Sequence, residues 1–94
     1  MKISDKKKQK ISEQILLYLF IKNPSPIYTS YIAQEIARDE EFVKKLLLDL
    51  KKKKLVTEVK KNKFGFEYLR RSRWKLTPAV YELYSKRQNT SRLP

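Results

Sequence analysis

The chain has 94 residues and a formal net charge of +13, enough length for one domain with a modest core. It has no Cys and no His, which excludes disulfides, Cys/His metal sites and catalysis by either side chain. A single Gly leaves no phosphate-cradling glycine loop, while the positive charge asks for a polyanionic partner: nucleic acid first, an anionic membrane second.

The first helix is expected to begin at Ser4 or Asp5, either of which can cap it. Ile11, Ile15, Tyr18 and Leu19 recur at helical spacing, and Leu16 and Phe20 widen the stripe. The run Ile15 to Ile21 is the longest apolar stretch, well short of the ~18 residues of a membrane span. Charged residues precede it and no small-residue cleavage site follows, so neither a membrane anchor nor a signal peptide is predicted. The missing cysteines suit the cytoplasm. Asn23-Pro24-Ser25-Pro26 ends the helix, because proline cannot continue the hydrogen-bond ladder. Ile27-Tyr28 is then a very short strand.

Thr29 or Ser30 is predicted to cap a second helix containing Ile32, Ala33, Ile36 and Ala37. Asp39 caps a third, whose Val43, Leu46, Leu47 and Leu50 form an apolar stripe at i, i+3, i+4 and i+7. A turn this short forces the two helices to cross steeply. Leu55, Val56, Thr57 and Val59 open a β hairpin, and Tyr68 to Leu76 return it. Leu55 and Leu76 are placed symmetrically about a tip at Phe64-Gly65-Phe66-Glu67. On the second strand Tyr68, Trp74 and Leu76 share one face, and Arg71, Arg73 and Lys75 the other. Thr77-Pro78 starts a last helix, with Val80, Leu83 and Tyr84 as its apolar stripe. The architecture predicted is α+β, one domain over residues 1–94, with a core at about residues 9–86 and frayed ends at residues 1–5 and 89–94.

The charge is unevenly spread. Residues 51–76 hold eleven Lys and Arg against two Glu, a net +9, whereas residues 23–50 are net −2. Signs are normally interspersed on a merely solvated surface, so the hairpin segment is read as the source of attraction for a polyanion. The acidic residues are scattered on helix faces and no nucleophile–base pair is evident. No enzyme, metal, cofactor or small-molecule ligand is implied.

The order helix, short strand, helix, turn, helix, hairpin, helix resembles the winged helix-turn-helix family of DNA-binding regulators, especially small archaeal and archaeal-virus members. The residues that carry the resemblance are Thr29, Ile32-Ala33, Ile36, Asp39, Val43, Leu47, Leu50, Leu55-Val56 and Leu76-Thr77, and it spans about residues 11–84. Two positions depart from the family. Lys54 stands where a Gly usually precedes the "L-V" pair, and the third helix opens on Glu40-Glu41.

The resemblance implies a double-stranded DNA partner and a role in transcription. Lys44, Lys45 and Leu48 of the third helix would enter the major groove, and Lys51 and Lys52 would hold phosphate. Lys60, Lys61, Lys63, Arg70, Arg71 and Arg73 of the wing would reach the backbone or minor groove. Phe64 and Phe66 at the tip could contact bases. Members of the family often dimerise through their first and last helices, which selects Tyr18, Leu19, Val80, Tyr81, Leu83 and Tyr84 for a homodimer contact. Two other readings are a winged helix that binds structured RNA or a ribonucleoprotein, and one whose Glu40, Glu41, Leu48 and Asp49 dock on transcription machinery.

Overall fold

Ser4 starts the first helix, its hydroxyl accepting from the Lys7 amide at 3.3 Å. The computed structural model describes residues 4–60 and 72–91, with side chains as far as residue 87. Its elements are α1 (Asp5–Lys22), β1 (Ile27–Tyr28), α2 (Thr29–Ile36), α3 (Glu40–Lys52), β2 (Val56–Val59), β3 (Arg73–Leu76) and α4 (Pro78–Ser91). The short strand at Ile27-Tyr28 is present, and Asp39 caps α3 by accepting from the Phe42 amide at 3.2 Å.

The cap of α2 differs from expectation. Neither Thr29 nor Ser30 caps it: Tyr28 holds the cap position and makes no side-chain cap bond. The Thr29 hydroxyl is instead an acceptor for Trp74 Nε1 at 2.8 Å, because burying an indole N–H without a partner is costly. Thr77 likewise precedes α4, and its carbonyl accepts from the Tyr81 amide at 3.0 Å. Its hydroxyl, though, donates to the Lys54 carbonyl at 3.2 Å, which ties the start of α4 to the end of α3. The last helix runs on through Ser91.

The strands form a three-stranded antiparallel sheet in the order β1-β3-β2. Val56 lies opposite Leu76 and Glu58 opposite Trp74, so the hairpin is offset by one residue from the Leu55–Leu76 symmetry expected. Leu55 is not in the strand. Its amide closes a turn onto the Leu50 carbonyl at 2.9 Å while the Lys54 amide bonds Lys51 at 3.0 Å, the paired bonds of a Schellman cap. One residue of the chain is spent on that cap, and the register moves accordingly.

One hydrophobic cluster joins all the helices to the sheet. It comprises Ile11, Ile15, Leu16 and Leu19 of α1, Ile32 and Ala33 of α2, and the whole predicted stripe of α3, Val43, Leu46, Leu47 and Leu50. Val56, Trp74, Leu76 and Val80 complete it. Trp74 is 0% exposed and is the largest of the fully buried side chains. The predicted stripe of α4 is only partly used: Val80 is buried, Tyr84 half-buried, and Leu83 exposed.

The turns after α2 and α3 each hold a left-handed residue that is not glycine. Ala37, predicted inside the second helix, instead follows it with φ 56 and ψ 49, and the Arg38 amide bonds back to Ala33 at 3.0 Å. Lys54 has φ 62, at the very place where the family usually carries Gly. A side chain in this region costs roughly 1–2 kcal/mol, part of which glycine's larger unfolded-state entropy gives back. Lys54→Gly is therefore expected to stabilise the fold by about 0.5–1 kcal/mol, a rise of several degrees in melting temperature. A thermal scan in which Lys54→Gly melts below the native chain would refute this account of the junction.

Candidate nucleic-acid interface

The buried stripe of α3 dictates what its other face presents. With Val43, Leu47 and Leu50 turned inward, Lys44, Lys45, Leu48 and Lys52 are all exposed. Lys45, Leu48 and Lys52 recur at i, i+3 and i+7, so they line one side of the helix. Leu48 is 40% exposed, an apolar side chain set among ammonium groups. The first turn carries Glu40 and Glu41 and the last Lys51 and Lys52, an arrangement that matches the helix dipole at both ends.

The stem of the wing stands beside the C-terminal end of α3, and a carboxylate joins them. Glu58 Oε1 lies 2.8 Å from Lys51 Nζ of α3 and 4.0 Å from Lys60 Nζ. Ser72 Oγ donates to its other oxygen, Oε2. The Glu58 side chain is only 7% exposed. Burial alone pushes its carboxyl upward, but the hydrogen bonds from Lys51 and Ser72 and the charges of Lys51 and Lys60 outweigh that effect. They hold it below its ordinary value of 4.5, so Glu58 is ionised at neutral pH. Glu58 was not among the candidates from the sequence. The signal that would have found it is strand alternation: it shares the parity of buried Val56 and so points inward, into a cluster of cations.

Arg73 also departs from the simple picture of a projecting wing cation. It is half-buried in β3, with its guanidinium 5.9 Å from the centre of the Tyr28 ring, and Tyr28 meets Tyr31 edge-on at 5.8 Å. Guanidinium over an aromatic face is an attractive pair, and it anchors β3 to the start of α2. Tyr31 is exposed. The remaining wing candidates, Lys61, Lys63, Arg70 and Arg71, lie outside the described residues, as do Phe64, Phe66 and Tyr68.

The dimerisation set divides. Leu19 is 1% exposed and Val80 is buried within the chain, so neither presents a surface, which corrects their assignment. Tyr18 is half-buried beneath Lys22, whose ammonium sits 5.9 Å from its ring centre. Tyr81 and Tyr84 pack on Phe20 with ring centres 5.2 and 5.8 Å apart. Burial and the charge of Glu13 push the Tyr84 phenol upward, with Arg87 opposing them. Tyr81 and Leu83 keep exposed apolar area, as do Leu17 and Ile21 of α1. Leu83 also lines a groove of about 600 Å³ with Leu16, Leu46, Leu55, Val80 and Tyr84.

Among the described residues there is no group of His, Cys, Asp or Glu that could hold a metal ion, and no helix long and apolar enough to cross a membrane. No protein-family model matches the chain, and no curated protein matches it significantly. Solved structures do. A Lactococcus lactis ZitR E41A mutant superposes with a TM-score of 0.67 at 19% identity, covering 95% of this chain and 56% of its own. An S. aureus MepR–DNA complex gives 0.65 at 22% identity, covering 94% of this chain and 75% of the MepR chain. AF1382 from Archaeoglobus fulgidus gives 0.64 at 13% identity, with 92% of both chains covered. The chain thus spans little more than half the length of that ZitR structure. With a helix pair joined by a short turn, a third strand from before α2 pairing to the hairpin, and these neighbours, the chain has the winged helix-turn-helix fold.

Proposed function

We propose that this protein binds double-stranded DNA and regulates transcription, with the basic wing supplying most of the attraction and α3 the sequence choice. The observation that carries the reading is the exposed face of α3. Lys44, Lys45, Leu48 and Lys52 lie together on a helix whose opposite face is buried to the last residue, and a strongly basic hairpin follows directly. Cations on a helix that can enter the major groove reach both base edges and phosphates, and a Leu among them suits a thymine methyl. The fold likeness to MepR, one of whose structures is a DNA complex, agrees with this. The net −2 of residues 23–50 places the burden of affinity on the wing rather than on the helix pair. The protein works as a homodimer in this reading, through the exposed Leu17, Ile21, Tyr81 and Leu83 of α1 and α4.

Selection of bound sequences from a random duplex pool tests the division of labour. Lys45→Ala or Leu48→Ala is expected to change which sequences are enriched while costing less than about tenfold in affinity for random duplex. Arg70→Ala with Arg71→Ala is expected to weaken binding to all sequences alike and to lower the salt slope by about 2 per chain. Arg73 is left out of the pair because its contact with Tyr28 would confound the comparison. Unchanged enrichment in both α3 variants would remove α3 from the reading, and full affinity in the arginine pair would remove the wing. A pool with no enriched palindrome would count against the dimer.

A further inference from the structure

Two ammonium groups and a hydroxyl, from the end of α3, the end of β2 and the start of β3, converge on one point. That is a set of donors suited to a phosphate. Here the anion is already present: Glu58 Oε1 receives Lys51 at 2.8 Å and has Lys60 at 4.0 Å, and Oε2 receives Ser72. With its side chain 7% exposed, the carboxylate is embedded in the stem. Lys51, by contrast, is half-exposed and still faces solvent with donors to spare, since an ammonium has three.

We propose that Glu58 sets the strength of DNA binding, as an internal anion that subtracts sequence-independent phosphate affinity where α3 meets the wing. The proposal rests on the DNA-binding reading above. Phosphate contacts carry no sequence information. A protein with a net charge of +13 binds every duplex through them. A fixed negative charge at the junction cancels about one cation of that general attraction and leaves the base-facing Lys45 and Leu48 untouched. It therefore lowers binding to every duplex by about the same factor and leaves the base contacts to decide between sequences. It also holds Lys51 in one place at no cost to the exposed face of the helix.

The test compares affinities for a random-sequence duplex and for a duplex enriched from the pool, with the full chain at fixed salt. Glu58→Gln keeps the shape and removes the charge. It is expected to tighten binding to random and enriched duplexes alike, about eightfold at about 0.1 M salt, and to steepen the salt slope by about 1, with the ratio of enriched to random affinity unchanged. Glu58→Thr, neutral and at home in a strand, is expected to act in the same direction. Glu58→Asp keeps the charge and is expected to stay near native affinity for random duplex. In a Lys51→Ala, Lys60→Ala background the gain from Glu58→Gln should shrink, because the cations it releases are gone. A purely structural role would instead lower the melting temperature and weaken both duplexes together. If Glu58→Gln or Glu58→Thr, folded by circular dichroism, binds random duplex no better than the native chain, the proposal is wrong although the DNA reading stands. If the native chain binds neither duplex, the DNA reading fails and takes this one with it.

Discussion

Binding of this chain to duplex DNA is expected to weaken by about 10⁵-fold as salt rises from about 50 to about 200 mM. Each phosphate neutralised by a Lys or Arg frees a condensed cation, and log K falls with log salt by about 0.9 per phosphate. A dimer that neutralises on the order of ten phosphates gives a slope near −9. The eleven Lys and Arg of residues 51–76 are more than enough to supply five contacts per chain. They do not all count equally. Lys51 and Lys60 share the carboxylate of Glu58, and Arg73 is held over Tyr28, so slopes much steeper than −9 are not expected. Fluorescence anisotropy with a labelled duplex across a salt series measures this directly. A flat profile would mean that the positive charge of this chain does not serve a polyanion and would end the DNA reading.

Trp74→Ala is expected to cost the fold about 3–5 kcal/mol from lost burial and the cavity left behind. A further 1–3 kcal/mol follows from leaving the buried Thr29 hydroxyl without its donor. Trp74 is fully buried, pairs with Ile27 on one side and Glu58 on the other, and donates to Thr29 at the start of α2. It therefore links the sheet to the helix pair. Against a typical total stability of 5–15 kcal/mol, losing this much lowers the melting temperature by about 20 °C or more. Thr29→Val is the companion: it keeps the volume, orphans the indole N–H, and is expected to cost about 1–3 kcal/mol. Thermal denaturation followed by circular dichroism decides both. A Trp74→Ala chain melting within a few degrees of native would show that the sheet does not depend on that residue.

The two predictions draw on different levels of the molecule. The salt dependence follows from charge content, which composition states outright. The cost of Trp74→Ala depends on what surrounds the ring. From the sequence Trp74 was placed on one face of its strand with Leu76, and both are buried, but its bond to Thr29 joins residues 45 positions apart. Thr29 looked like a cap because a β-hydroxyl before a helix usually is one. The buried indole N–H won the competition for it.

The candidate site shows the same division. The outward set on α3 was legible because helical periodicity determines both faces at once: inward Val43, Leu46, Leu47 and Leu50 leave Lys44, Lys45 and Leu48 outside. Glu58 was not legible as a partner of Lys51, because a lone Glu in a run of lysines looks like a solvated charge until the hairpin folds against the helix. Leu19 and Val80 were assigned to a surface they do not reach, since an aromatic-rich helix can serve a core or an interface with the same pattern.

By itself the sequence determined the four helices, the stem of the wing as far as it is described, the cap of α3 and the uneven charge, because those depend on contacts within a few residues and on simple counting. The tertiary structure alone decided the one-residue register of β2 on β3, the use of Thr29 for Trp74, and the carboxylate of Glu58 between α3 and the wing. Each of these is settled by atoms far apart in the chain competing for one hydrogen bond or one buried volume, and no local pattern records which of them prevails.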